Sequence, residues 1–321
     1  MANEYTLADY ERTADPLTKA VVRTWREASP ILDMLKFKQS DQLTQAMIRF
    51  NALPSVPWRN IGDNFTQLKV EPDEVSERLY FMGGKIDVPY EYEKAASLIN
   101  QRETQEEAII KSMAFGFNEA FFINTPGDDN KALVGLWYRI KNDLGSGQYF
   151  DANLDISEDT AVTNAAHKFF DKVENLMDLV DGNPGDKVLF MGRTLYRRAQ
   201  SLMRQSNLLA TTKDQLGRQF MTYGEGGPKI IDAGYKYDQS TPILGDAENG
   251  ITALTGGSDS SMYCVRFGEP YLDGWCQDMP MADDVGLTED RVNYRTVVRF
   301  SPGLFFANQR SMSLAYGFTA A

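Results

Sequence analysis

A single histidine, His167, occurs in the 321 residues, so any Ser-His or Cys-His nucleophilic pair would have to be built on it. It falls beside the apolar stripe of a helical segment, and no serine, cysteine or carboxylate motif accompanies it. The reading is a partly exposed, unpartnered histidine. The only cysteines are Cys264 and Cys276. A zinc site would need two further ligands, which one histidine does not supply. In a reducing compartment both are read as buried thiols. The acidic pairs Asp128-Asp129 and Asp283-Asp284 could attract a hard cation, but neither sits in a calcium-loop pattern, and they are read as solvated loop carboxylates.

Glycine-rich stretches offer a second route to chemistry. "YGEGGP" (223–228) precedes a strand-like run instead of following one, and its proline blocks a helix from starting there, so it is read as a turn and not a dinucleotide loop. "GSG" (145–147) and "GGSDSS" (256–261) are loop signals, and no GxxxxGK[ST] motif occurs. Arg193, Arg197, Arg198 and Arg204 cluster on one basic helical stretch. Two readings stand for them: contact with an acidic neighbouring surface, or an ordinary solvated face. No catalytic, cofactor-binding or metal-ligating constellation emerges, no cofactor is implied, and the expectation is a protein that is not an enzyme.

The bulk composition is that of a folded protein. An apolar content of 42% with 12% aromatics belongs to a folded chain. Forty-five acidic against 33 basic residues leave a net charge of −12, which repels phosphate backbones at long range and disfavours a nucleic-acid reader. No apolar run approaches the ~18 residues that cross a bilayer. The opening "MANEYTLADYERTADP" shows no secretory signal, so the chain is expected to be made and kept in the cytosol.

The elements that would carry these residues follow from periodicity. "PLTKAVVRTWREASPILDMLKF" reads as a helical segment with Leu17, Val21, Trp25, Ile31, Leu32 and Leu35 on one stripe, interrupted at Ser29-Pro30. It either packs on its own domain or grips a neighbour. "LTQAMIRFNALPSVPWRNIG" and "SERLYFMGGKIDVPYEYEK" read as the two strands of a long excursion, with the polar "DNFTQLKVEPDEVS" between them. A free ribbon of that length is marginal in water and must lie on something. Thr104 and Glu107 form a T-x-x-E capping box opening a long helix that carries Ile109, Ile110, Met113, Ala114, Phe117, Ala120 and Phe121 and stops at "NTPG". A second helix is expected over 157–181, then a buried strand "KVLFMG", the basic helix and the strand "PKIIDAGY". From Ser261 strands dominate, with "YRTVVRFSPGLFFAN" reading as one long strand. Helices gathered in the middle and strands at the end argue for α+β.

This order of elements resembles the major capsid proteins of tailed bacteriophages, with their Hong Kong 97-type fold, over nearly the whole chain. "SERLYFMGGKIDVPYEYEK" resembles the returning strand of that family's extended loop, and "RETQEEAIIKSMAFGFNEAFFIN" its spine helix. "LVDGNPGDKVLFMGRTLYRRAQSLM" is similar to its axial-domain turn, strand and helix, and "DVGLTEDRVNYRTVVRFSPGLFFANQRSMSLAYGF" to its closing strands. The resemblance implies an N-terminal arm (1–42), an extended β-hairpin loop (43–90), a peripheral domain with the spine helix (91–140) and an axial domain (141–275). Peripheral return strands (276–300) and C-terminal strands running back to the axial domain (301–321) would complete it.

The function it implies is a major capsid protein, self-assembling into hexamers and pentamers of an icosahedral shell around a double-stranded DNA genome. The location would be the virion, with assembly in the cytoplasm of a bacterial host. The implied partners are further copies of the chain, a separate scaffolding protein, a portal and decoration proteins; DNA is enclosed without sequence-specific binding, and no membrane is involved. The alternative is an encapsulin-type nanocompartment shell. The family's founding member cross-links a lysine of its extended loop. Lys69 and Lys85 lie in the corresponding region, but no local motif fixes either, and cross-linking is not expected.

Overall fold

The computed structural model describes residues 4–50, 55–68, 72–94, 101–126, 131–157, 164–213, 217–244 and 260–319. Its axis is the helix Gln101–Ile123, about 35 Å of rod at 1.5 Å per residue. Ile110, Ala114, Phe117, Phe121 and Phe122 are buried along it, while Ile109 faces outward. The helix already runs through Gln101, so Thr104 lies inside it and cannot cap it. Glu107 instead pairs with Lys111 one turn on. At the far end the chain folds back: Asn124 Nδ2 donates to the Leu133 carbonyl at 2.7 Å, and Gly135 N–H donates to the Asn124 carbonyl at 2.8 Å. A Cβ at Gly135 would sit 2.7 Å from Asn124 N, so only glycine allows this approach.

The N-terminal helices, from Leu7 to Met34, pack on the body of their own subunit. Helix Pro16–Ala28 ends at Ser29, which caps the short helix Pro30–Met34 and donates its hydroxyl to Asn118 on the long helix at 2.5 Å. Trp25 donates its indole N–H to the Ile110 carbonyl at 2.8 Å and packs on Phe300. Val21, Trp25, Ile31, Leu32 and Leu35 are buried as their spacing implies, whereas Leu17 is exposed. Lys36–Gln39, expected to continue the helical segment, is a strand. It pairs with Glu4–Thr6 on one side and runs parallel to Leu272–Cys276 on the other, and Pro302–Phe306 closes this four-stranded sheet. The apolar stripe is thus covered within its own subunit.

A three-stranded antiparallel sheet holds Met281–Leu287, Asn293–Phe300 and Met82–Pro89 in that order. The run read as one long strand from 294 to 308 is therefore two. It leaves Met82 at Phe300 and takes Cys276 as partner at Pro302, in a different sheet.

The largest sheet has seven strands in the order Tyr149–Asp155, Met312–Thr319, Ser260–Arg266, Lys187–Met191, Lys229–Asp232, Gln219–Tyr223 and Leu209–Lys213, with parallel and antiparallel pairs mixed. Its central strands are buried on both faces, and Lys187–Met191 shows how: Val188 and Phe190 join the core around the long helix, while Leu189 and Met191 face helices Ala165–Asp178 and Arg193–Gln205. Alternation across a strand accounts for the split. Lys187 itself is buried and donates its ammonium to the Met177 carbonyl in the last turn of the first of these helices, where a cation is favoured. That helix begins at Ala165, preceded by Asn164 in the left-handed region, later than the expected 157; residues 158–163 lie outside the described region. The sheet also moves two expected boundaries. Leu272–Cys276 belongs to the four-stranded sheet and not to the unit ending at 275, and of residues 301–321 only the strand Met312–Thr319 returns to the large sheet.

Candidate assembly surface

The residues singled out for chemistry are scattered. His167 is exposed on the helix Ala165–Asp178. Cys264 and Cys276 are buried and free, and burial pushes both thiols up to about 12. Asp283 pairs with Arg299 at 2.8 Å, and Asp284 accepts from Gly286 N–H. Asp128, Asp129 and Lys69 lie outside the described residues, while Lys85 is exposed on the strand Met82–Pro89. "YGEGGP" is the turn between two strands of the large sheet, closed by Tyr223 N–H donating to Pro228 O at 3.1 Å. Gly145 turns the chain at positive φ, and Ser260-Ser261 begin a strand, the preceding glycines lying outside the described region. Among the described residues no group of three or more His, Cys, Asp or Glu could hold a metal, and no helix is long and apolar enough to cross a membrane. A polar cleft of about 550 Å³ beside Arg266 offers no free cation there: Arg266 stacks on Tyr271, donates to the Asp181 carbonyl and faces Asp186.

The structure divides the arginine cluster. Arg193 pairs with Asp232 at 2.7 Å, and Arg198 donates to the Ile156 carbonyl. Arg197 and Arg204 face solvent.

What the fold does project is a ribbon. Thr44–Phe50 and Pro72–Arg78 pair antiparallel in a two-stranded sheet that joins no other. The returning strand is thus the acidic stretch expected to be a connection, and the "YFMGGKIDVP" expected to return lies mostly in the three-stranded sheet. Alternation gives the ribbon an inner face of Met47, Arg49 and Glu77 and an outer face with Ile48 and Glu74. Arg139, from the π-helical turn Arg139–Leu144, is 1% exposed and grips Glu77 through two hydrogen bonds of 2.5 and 3.0 Å. Arg49 lies over the Phe306 ring at 4.0 Å; burial pushes its guanidinium pKa down, against the pull of Asp143 and Glu77. Two backbone bonds complete the root, Leu79 N–H to Leu43 O and Tyr80 N–H to Pro302 O.

Beyond the root the ribbon bears apolar side chains with nothing to cover them. Val56, Trp58, Ile61 and Phe65 are each at least 71% exposed, Trp58 and Ile61 completely so, and Leu43, Ile48 and Leu68 add to the patch. Among the described residues, Arg59 stacks on Phe65. Large apolar side chains exposed together on one segment are the kind of surface that marks an interaction site. Sequence reasoning placed the ribbon here but missed Arg49, Glu77 and Arg139; Glu77 and Arg139 meet across 62 residues of chain.

A second ionic cluster ties the N-terminal helices to the large sheet. Arg26 pairs with Glu11 at 2.5 Å and Asp33 at 2.6 Å, and Arg218, just before the strand Gln219–Tyr223, reaches Asp33 at 2.6 Å and the Arg26 carbonyl at 2.8 Å.

No family model matches this chain, and no curated protein matches it in sequence. Solved structures match in shape. The holo-SrpI encapsulin complex from Synechococcus elongatus PCC 7942 aligns with a TM-score of 0.58 at 14% identity, over 91% of this chain and 89% of that one. The capsid of a native GTA particle aligns with a TM-score of 0.58 at 11% identity, over 90% and 89%. The capsid of Myoviridae phage XM1 gives 0.53 at 12%, over 88% and 89%. At such identities the likeness is one of fold: this chain has the mixed helix-and-sheet, Hong Kong 97-type fold that phage capsid proteins and encapsulins share.

Proposed function

We propose that the chain is a structural shell subunit, the major capsid protein of a tailed phage, whose copies join in five- and six-membered rings to enclose double-stranded DNA. The observation that carries this reading is the bare apolar end of the ribbon. A two-stranded sheet whose connecting segment leaves Trp58 and Ile61 fully in water is fastened chiefly at its ionic root, and a second copy is the partner every copy of the chain has available. Contacts of this kind, one patch against a different patch, close into rings when the rotation allows. The charge of −12 agrees with a wall that contains a duplex without gripping it. In this reading the ribbon lies along the adjacent subunit, and a separate scaffolding protein, a portal and decoration proteins are the further partners. Assembly takes place in the host cytoplasm, the virion is the final location, and the chain catalyses nothing.

An encapsulin-type compartment is the second reading, supported by the likeness to the encapsulin complex at the same TM-score as the GTA capsid. Electron micrographs of the purified chain decide the first point: closed shells are expected, and a solitary monomer at high concentration overturns the proposal. Nuclease treatment of particles from the native host decides the second. Protected DNA supports the capsid, and a packaged enzyme supports the compartment.

A further inference from the structure

Arg197 and Arg204, seven residues apart on the exposed face of helix Arg193–Gln205, have no side-chain partner among the described residues. Gln200 lies between them on the same stripe, because positions i, i+3 and i+7 share one helix face. The other helix on this side of the large sheet, Ala165–Asp178, presents Asp171, Glu174 and Asp178 at the same i, i+3, i+7 spacing, all three exposed. Nearby cations leave Asp171 and Asp178 unneutralised: Lys172 lies over Phe150, and Arg310 is engaged with the Asp178 and Leu179 carbonyls and with Asp181. Glu174 accepts from Tyr223 Oη, which fixes it in place. The two helices share the strand Ser260–Arg266 and diverge from it, the acidic one over Tyr149–Asp155 and Met312–Thr319, the basic one over Lys229–Asp232 and Leu209–Lys213.

We infer that these two helix faces dock on each other between copies, the basic face of one subunit receiving the acidic face of the next. The inference rests on the shell reading and deepens it by naming a ring contact. Copies carrying −12 each repel at long range, so they meet most readily where one presents local positive charge. The matching spacing, about 10.5 Å between the outer charges on both helices, lets Arg197 and Arg204 face Asp171 and Asp178 with the Gln200 amide opposite Glu174 when the helices run in the same direction. A contact in which each subunit gives its basic face to one neighbour and its acidic face to another is heterologous, and contacts of that kind close into a ring when the rotation allows.

Charge reversal in the full-length chain tests it. Arg197→Glu with Arg204→Glu, and separately Asp171→Arg with Asp178→Arg, are expected to leave the fold intact by circular dichroism and thermal unfolding, because all four side chains are exposed. Each pair is expected to lower the yield of rings and shells, read by sedimentation and negative-stain microscopy, by about tenfold or more through like-charge contact. The chain with all four changes restores opposite charges across every contact and should assemble again. Either double variant assembling as the parent does, or a folded fourfold variant that fails to assemble, overturns the contact. If the unaltered chain forms no particles, the shell reading falls and takes this contact with it; if particles form whatever the helix charges, only this contact falls.

Discussion

Cys264 and Cys276 stay protonated in the folded chain because burial holds both thiols near 12, whereas an unfolded chain releases those protons near the ordinary value of about 8.5. Between the two values the folded state binds more protons than the unfolded one, so stability falls as pH rises. The sign is that of an acid whose folded pKa is raised: full stability below about pH 8.5, progressive loss above it, at most about 1.4 kcal/mol per pH unit per thiol. Urea unfolding of the subunit from about pH 8 to about pH 10.5 should show this decline. Cys264→Ala should be weaker at neutral pH yet lose less over that range, and equal losses in parent and variant would refute the assignment. At this scale much was legible beforehand. Two thiols among apolar strand residues read as buried, and a histidine beside a stripe read as exposed. The arginine cluster was not legible in detail, because Arg193 and Arg198 are taken up by Asp232 and Ile156, 39 and 42 residues away. Periodicity places a side chain on a face but does not reveal what a distant segment brings to it.

The ribbon shows where element-level reading succeeds and where it stops. A long excursion between residues 43 and 90 was visible from its extended, aromatic-rich segments, but the returning strand was placed too late. Pro72–Arg78 is rich in Asp and Glu, poor strand formers, and it is a strand because Thr44–Phe50 supplies a complete ladder of partners. The T-x-x-E at Thr104 likewise suggested a helix start, although the helix already runs through Gln101. What fastens the ribbon is the pair of Arg139 and Glu77, 1% and 12% exposed at the side chain. Removing one partner of such a pair strands the other charge, so Glu77→Gln should cost about 3–5 kcal/mol in denaturant unfolding and speed amide exchange through Thr44–Phe50. Replacing both, Glu77→Leu with Arg139→Met, removes the stranded charge and should recover most of the loss. A double variant as weak as Glu77→Gln would show that the root is held by something other than this pair.

For the whole molecule, the α+β class and the general order of elements followed from the sequence, but several boundaries did not. Strand propensity does not say which sheet a strand joins, and the switch at Ser301 from the three-stranded to the four-stranded sheet leaves no mark in "VRFSPGLF" beyond a proline. Periodicity likewise left open whether the stripe of the first helices packs on its own domain or grips a neighbour, and the long helix is what covers it. Exposure of the ribbon tip is hidden in the same way, since "VPWRNIGDNF" has the composition of core as much as of surface. That exposure separates folding from assembly. Trp58 and Ile61 touch little within their own subunit, so Trp58→Ser with Ile61→Ser should change subunit stability by no more than about 0.5 kcal/mol. If a neighbouring copy buries them, each contributes about 1.5–3 kcal/mol to the contact, and losing both raises the subunit concentration needed for assembly by about a hundredfold or more. Light scattering against concentration, with thermal unfolding in parallel, measures both quantities. Equal assembly thresholds for variant and parent would place the tip outside the contact and leave its bare tryptophan without a physical reason.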